Sequence, residues 1–317
     1  MTTNSGPVSV WRPDSRTTLP DFAERHESDI TAELMTRGAI LFRDFPRISD
    51  AEFRDILTRF GGPALEYSER SSPRKQLSDR VYSSTEYAAD QEIFFHNENS
   101  YQIAWPKLLG FICREPADSG GETLVADCRS VLAGLDQLIL AEFTRHGWAY
   151  VRNFYPGLGL PWQEVFGTTD RSAVDQYCRS HQLQPEWIGK SRLRVFSGRR
   201  AAIATHPVTG QSVWFNHAAF FHYSTLPAEI SDTLYGGMPT EDLPANSYLG
   251  NREPISQESM AVIRQAYRAA SQSVAWAADD VLVIDNMMMA HARRPFTGDR
   301  RISVAMAGAI EAKDVTR

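Results

Sequence analysis

Ile93-Phe94-Phe95-His96-Asn97-Glu98-Asn99-Ser100-Tyr101 reads as a short β-strand that carries chemistry. Side chains two residues apart on a strand point to the same face, so the spacing puts His96 and Glu98 together. A neutral imidazole and a carboxylate form the mixed nitrogen and oxygen set that suits Fe(II); one more protein ligand completes a facial triad with open positions. His-x-Glu alone recurs in many proteins without a metal, so the reading needs a third group from elsewhere in the chain.

Such a group stands near the C-terminus. Val281-Leu-Val-Ile-Asp-Asn286 is an apolar strand that runs through Met287 to Ala290, and His291 follows it. Nine residues later (300 − 291) a further strand begins with arginine. A guanidinium stays charged when partly buried, and its fork matches a carboxylate in the plane, so an arginine here suits a dicarboxylate ligand. By strand parity Arg300 shares a face with Ile302, Val304 and Met306, whereas Arg301 goes with Ser303 and Ala305. Arg300 is therefore the preferred anchor, with Arg301 as its alternative.

Outward from these segments, Leu108 to Arg114, Thr123 to Ala126, Ala201 to Ala204 and Ser212 to Asn216 also read as short strands. Helical patterns over about Asp127 to Arg145, Ser172 to His181 and Ser256 to Ala270 interrupt them, with a helical insertion expected over about 127–200. Short strands without regularly alternating helices predict a mainly β protein with flanking helices (α+β), an antiparallel β sandwich or jelly roll and not a doubly wound sheet. The N-terminal part, about 20–62, reads as helix, strand, helix. Asp21 to Arg37 is one expected helix, Ala39 to Phe42 a buried strand, and Ser49 with Glu52 a capping box opening the second helix. The polar stretch 66–91 is a candidate lid, in which Arg70, Arg74 and Arg80 read mainly as solvated charges, with pairing of one of them to a substrate carboxylate on closure as the sharper alternative. By length the chain, 1–317, suits either about two domains or one large unit.

Composition removes several alternatives. The 317 residues carry 33 Lys plus Arg against 39 Asp plus Glu, and a net charge of −6 argues against a surface that tracks nucleic-acid phosphates. No signal peptide and no membrane-length apolar run is visible. The three cysteines, Cys113, Cys128 and Cys178, suit a reducing compartment, so a cytoplasmic location is expected. Gln184 stands where a phosphate loop ending in Gly189-Lys190-Ser191 needs glycine, and Gly157-Leu158-Gly159 lacks the third glycine of a dinucleotide fingerprint. There is no Gly-x-Ser-x-Gly elbow and no His-Glu-x-x-His helix. His206, His217 and His222 form a weaker grouping, read mainly as turn, core or pocket residues.

Four pieces, in order, resemble the Fe(II)/2-oxoglutarate dioxygenases of the TauD/TfdA superfamily. They are Phe95-His-Asn-Glu-Asn-Ser-Tyr101 with Trp105-Pro106, Pro116-Ala-Asp-Ser-Gly-Gly-Glu-Thr-Leu124, Val213-Trp-Phe-Asn216, and Asn286 through His291 to Arg300. Within that superfamily the chain is most similar to the SyrP-like, amino-acyl hydroxylase branch. The resemblance implies a double-stranded β-helix (jelly roll) in a single catalytic domain, 1–317, with His96, Glu98 and His291 as iron ligands. It also implies Arg300 and Thr123 on the distal carboxylate of 2-oxoglutarate, beside Gly120-Gly121, where backbone can approach closely. Glu98 favours hydroxylation or another oxidation, since halogenating relatives have a small residue there. His217 and Ala292 depart from the glutamine and glycine common in relatives.

The implied reaction uses Fe(II), 2-oxoglutarate and O2 to hydroxylate an amino acid or amino-acyl group, free or carrier-protein-tethered, in secondary metabolism. Desaturation or cyclisation at the same iron, or a non-catalytic metal-binding jelly roll, are the alternatives.

Overall fold

The strands around His96 pair with strands from the far end of the chain. The computed structural model describes residues 6–14, 17–66, 76–83, 87–226 and 237–315. Seven strands form one sheet in the order Val8–Trp11, Ala39–Phe42, Val281–Asp285, Ala104–Glu115, Arg301–Glu311, Val81–Ser83 and Gln76–Ser78. Four form a second: Ser271–Val274, Thr123–Asp127, Met289–Arg293 and Ile93–His96. The chain alternates between them, Ile93–His96 in the smaller, Ala104–Glu115 in the larger, Thr123–Asp127 in the smaller, and likewise from Ser271–Val274 to Arg301–Glu311. This alternation is the jelly roll, closed around a core shared by Leu109, Phe111, Ile284 and Val304 of the larger sheet and Val125 and Met289 of the smaller.

The larger sheet is buried on both faces, which is why Val281–Asp285 reads as a continuous apolar run instead of alternating. Its outer face packs Ile40, Phe42, Ile112 and Val283 against the N-terminal helices through Phe22, Leu34, Phe53 and Leu57. The capping box is formed: Ser49 Oγ accepts from the Glu52 N–H at 3.2 Å, and Glu52 accepts from the Ser49 N–H at 2.8 Å. It starts the helix Asp50–Gly61 at the angle that turns Phe53, Ile56 and Leu57 inward.

Three sequence expectations are corrected. The helix expected over 21–37 is two, Leu19–Arg25 and Glu27–Arg37, because His26 leaves helical geometry (φ −112°, ψ 25°) and lays its ring 4.3 Å from that of Phe22. Within the candidate lid, Gln76–Ser78 and Val81–Ser83 are a hairpin on the edge of the larger sheet, pairing with Ser303 to Ala305, and Val81 and Tyr82 are buried. Arg70 and Arg74 lie outside the described residues, and Arg80 stands 3.6 Å from Glu66. The insertion expected to be helical over about 127–200 holds, besides its helices, three strands, Leu183–Ile188, Arg192–Ser197 and Trp148–Phe154, which Ala245–Leu249 from beyond it joins in a four-stranded antiparallel sheet. Trp148–Phe154 is buried along its whole length and shows no period-2 alternation to read.

Because the cap satisfies two helix-end donors, Ser49→Ala should destabilise the protein by about 1 kcal/mol in chemical denaturation. No measurable change would mean that packing alone sets this helix.

Candidate active site

Antiparallel pairing of Ile93–His96 with Met289–Arg293 sets His96 directly opposite His291. Facing residues on one side of a sheet are side-chain neighbours, and the two rings are 4.2 Å apart, centre to centre. Glu98 joins them with Oε2 4.0 Å from His291 Nε2, a gap one ion with bonds of about 2.0–2.2 Å bridges. A nitrogen from each histidine and a carboxylate oxygen all lie within 4.8 Å of one another, and all three residues are buried. His96 Nδ1 is 2.9 Å from the Phe94 carbonyl, to which it donates, and this fixes the tautomer with the proton on Nδ1. Two imidazoles, one carboxylate and a fixed tautomer fit a ferrous ion.

Strand parity is not what places Glu98. The strand ends at His96, and Asn97 to Ser100 form a turn in which Asn99 takes a left-handed conformation (φ 57°). Asn286 takes over as the partner. Its Oδ1 accepts from the Glu98 N–H at 2.8 Å, and its Nδ2 donates to the carbonyls of Glu98 at 2.9 Å and Pro106 at 3.0 Å. One asparagine therefore supplies the ladder bonds that the strand has stopped making.

His96, His291, Thr123, Arg293 and Arg300 line one cavity with the apolar side chains of Phe111 and Ile302. Thr123 Oγ1 accepts from Trp276 Nε1 at 3.1 Å, leaving its own hydroxyl proton for another acceptor. Arg300 Nε donates to the Gly121 carbonyl at 3.0 Å. Burial, with Arg293 nearby, pushes the Arg300 guanidinium down to about 10, which leaves it cationic at neutral pH. Gly120 and Gly121 both take positive φ (70° and 72°), and a Cβ on Gly120 would stand 2.2 Å from the Pro295 carbonyl oxygen. Arg301 is elsewhere: its side chain is 73% exposed and pairs with Glu115 at 2.6 Å. Of the two arginines, only Arg300 enters the cavity that the two histidines line.

The three histidines of the weaker grouping are each bonded separately. His206 meets Asp285 at 3.1 Å, His217 Nδ1 meets Ser100 Oγ at 3.0 Å, and His222 meets Ser224 Oγ at 2.8 Å. His217 lies beside the metal-ligand set, its ring 5.6 Å from that of His96, and burial with His96 alongside holds it well below its ordinary pKa. Sequence reading missed Asn286 as a brace, Trp276, and Arg293. The last is buried and donates to the carbonyls of Tyr87 at 3.1 Å, Ala88 at 2.6 Å and Gln91 at 2.7 Å. A buried strand arginine two residues after His291 was the available signal for Arg293.

The profile of the Taurine catabolism dioxygenase TauD, TfdA family matches residues 5–307. Dapdiamide synthesis protein DdaC of Enterobacter agglomerans is 36% identical over 292 residues, covering 92% of this chain and 88% of that protein. A clavaminate synthase-like protein of Arabidopsis thaliana is 27% identical over 317 residues, covering 95% and 91%. Among solved structures, PvcB of Pseudomonas aeruginosa has the same fold with a TM-score of 0.56 at 14% identity, covering 97% of this chain and 89% of that one. PvcB is described as an Fe, alpha-ketoglutarate dependent oxygenase from an isonitrile synthetic pathway. The family profile spans nearly the whole chain and DdaC matches along most of both proteins, so the chain belongs to the TauD/TfdA family of dioxygenases and is an iron- and 2-oxoglutarate-dependent oxygenase.

Proposed function

We propose that His96, Glu98 and His291 hold the ferrous ion, and that Arg300 with Thr123 holds the distal carboxylate of 2-oxoglutarate. The substrate in this reading is an amino acid or amino-acyl group, free or tethered to a carrier protein, and the product is its hydroxylated form. The observation that carries the reading is the single cavity lined by both histidines, Thr123 and Arg300, with Glu98 within reach of the same ion.

Bound iron with 2-oxoglutarate supplies the activation of dioxygen that oxidation of an unreactive C–H bond requires. The chain's own residues bind, orient and exclude water. Phe94 fixes the His96 tautomer, and Asn286 fixes the backbone of Glu98. Arg300 brings a permanent positive charge into a cavity walled by Phe111, Ile302 and Val304, where little water competes for a carboxylate. Thr123 adds a hydroxyl whose orientation Trp276 sets.

The biosynthetic assignment is supported by DdaC, named for dapdiamide synthesis, and by PvcB, from an isonitrile synthetic pathway. Glu98 supports hydroxylation, since it occupies the carboxylate position among the proposed iron ligands. Membership of a dioxygenase family argues against the non-catalytic alternative. Three buried cysteines, none in a disulfide among the described residues, agree with a reducing compartment, which in this reading is the cytoplasm. Among the described residues no helix is long and apolar enough to cross a membrane.

Oxygen-dependent succinate release, screened with free amino acids and carrier-bound amino-acyl thioesters, tests the function. A product heavier by one oxygen is expected, and a loss of two hydrogens would assign desaturation or cyclisation instead. His291→Ala should lower turnover by about 100-fold or more, because it removes an iron ligand and outer-sphere changes alone cost 10–100-fold. Arg300→Ala should raise KM for 2-oxoglutarate by roughly 30-fold or more, as loss of a buried charged hydrogen-bond partner costs ~2–5 kcal/mol. Arg301→Ala should leave that KM within about twofold, because its pair with Glu115 is solvent-screened. The reverse pattern would move the anchor by one residue.

A further inference from the structure

We propose that His206 is a positioning residue for the metal carboxylate, acting through Asp285 and Asn286; the inference rests on the proposed iron set. His206 is 1% exposed and follows the strand Ile203–Thr205, outside the metal-binding sheet. Its Nδ1 is approached by two backbone N–H groups, those of Val208 at 3.3 Å and Thr209 at 3.1 Å. Backbone N–H groups only donate, so Nδ1 accepts and the ring carries its proton on Nε2. That proton is directed at Asp285 Oδ2, 3.1 Å away.

Asp285 is also 1% exposed, and a carboxylate at that depth requires partners on both oxygens. Its Oδ1 accepts from the N–H groups of Met287 at 2.9 Å and Met288 at 3.0 Å. Those two residues form the turn that carries the chain from Val281–Asp285 in the larger sheet to Met289–Arg293, the strand of His291, in the smaller. Asn286 sits within that turn, and its own N–H is tied to the Lys107 carbonyl at 2.9 Å. Its side chain grips the N–H and C=O of Glu98, while its carbonyl accepts from Asn97 Nδ2 at 2.7 Å. The path from His206 to Glu98 is an unbroken series of buried hydrogen bonds along a covalent turn. An imidazole is suited to its start because it accepts the two turn N–H groups on one nitrogen and donates to the carboxylate with the other.

A brace that only stabilised the turn would affect folding and leave metal binding alone. Titration of the apo-protein with Co(II), read by its visible d–d absorption, separates the two roles without reference to turnover. His206→Phe keeps the ring volume but has no donor, whereas His206→Gln keeps a donor able to reach Asp285. The expected result is Co(II) affinity weakened by roughly 10–100-fold with an altered d–d envelope for His206→Phe, and affinity within about threefold of wild type for His206→Gln. Asp285→Asn should match His206→Phe, and the double variant should lose little more than either single one. If His206→Phe does not fold, Asp285→Asn against His206→Gln makes the same comparison. Wild-type affinity and spectrum in both His206→Phe and Asp285→Asn, even with lowered thermal stability, would overturn the positioning role alone. Absence of any d–d bands in the wild-type protein would overturn the metal set, and this inference with it.

Discussion

The pairing of Ile93–His96 with Met289–Arg293 is the contact on which the site depends. It joins two segments from opposite halves of the chain, and everything between them must fold so that the two strands lie in one sheet. The entropy of closing a long loop grows only with the logarithm of its length, so a large insertion between the two halves costs little extra once the core has formed. The core is the apolar layer between the sheets, where Phe111, Val125, Ile284 and Val304 leave water together. Removing that layer would free the histidines to separate. With it in place, cross-strand geometry alone puts their rings in contact.

Charge is distributed with equal economy. Neither Arg293 nor Arg300 has a carboxylate partner among the described residues, and Arg293 instead donates through its terminal nitrogens to three backbone carbonyls. Burial first, and Arg293 second, lower the Arg300 pKa, and the pair stands on the cavity wall as positive charge that favours entry of an anion. Arg301, one residue on, faces solvent and pairs with Glu115, so it offers the cavity nothing. A single step along the chain separates an interior cation from a surface one.

Much of this was legible in the sequence because it follows from period-2 geometry and short motifs. Val281–Asp285, Thr123–Asp127 and the capped helix at Ser49 declared themselves through apolar runs and cap chemistry. The parity argument preferred Arg300, and Arg300 does line the cavity, but the strand begins only at Arg301 and its register shifts between Arg301 and Ile302, so alternation is not what places it. What stayed hidden was tertiary. Parity put His96 and Glu98 on one strand face, but the strand stops at His96 and a side chain from the far end of the chain holds Glu98. No local pattern encodes that exchange. His291 was read as following a strand, yet it lies within Met289–Arg293, because three methionines between Asn286 and Ala290 blur the point where the chain changes sheet. The four-stranded sheet of the insertion was missed for a similar reason: Trp148–Phe154 buries Arg152 and Asn153 among aromatic residues and reads as neither strand nor helix.

The central claim is that one buried His-Glu-His set and one arginine bring a metal and a dicarboxylate into the same cavity. Its most direct test is an anaerobic titration of the apo-protein with Fe(II) and then 2-oxoglutarate, followed in the visible region. The account requires a charge-transfer band that appears only when both are present, is absent in His291→Ala, and needs far more 2-oxoglutarate in Arg300→Ala. A well-folded wild-type protein that gives no band, or a band indifferent to His291, would contradict it.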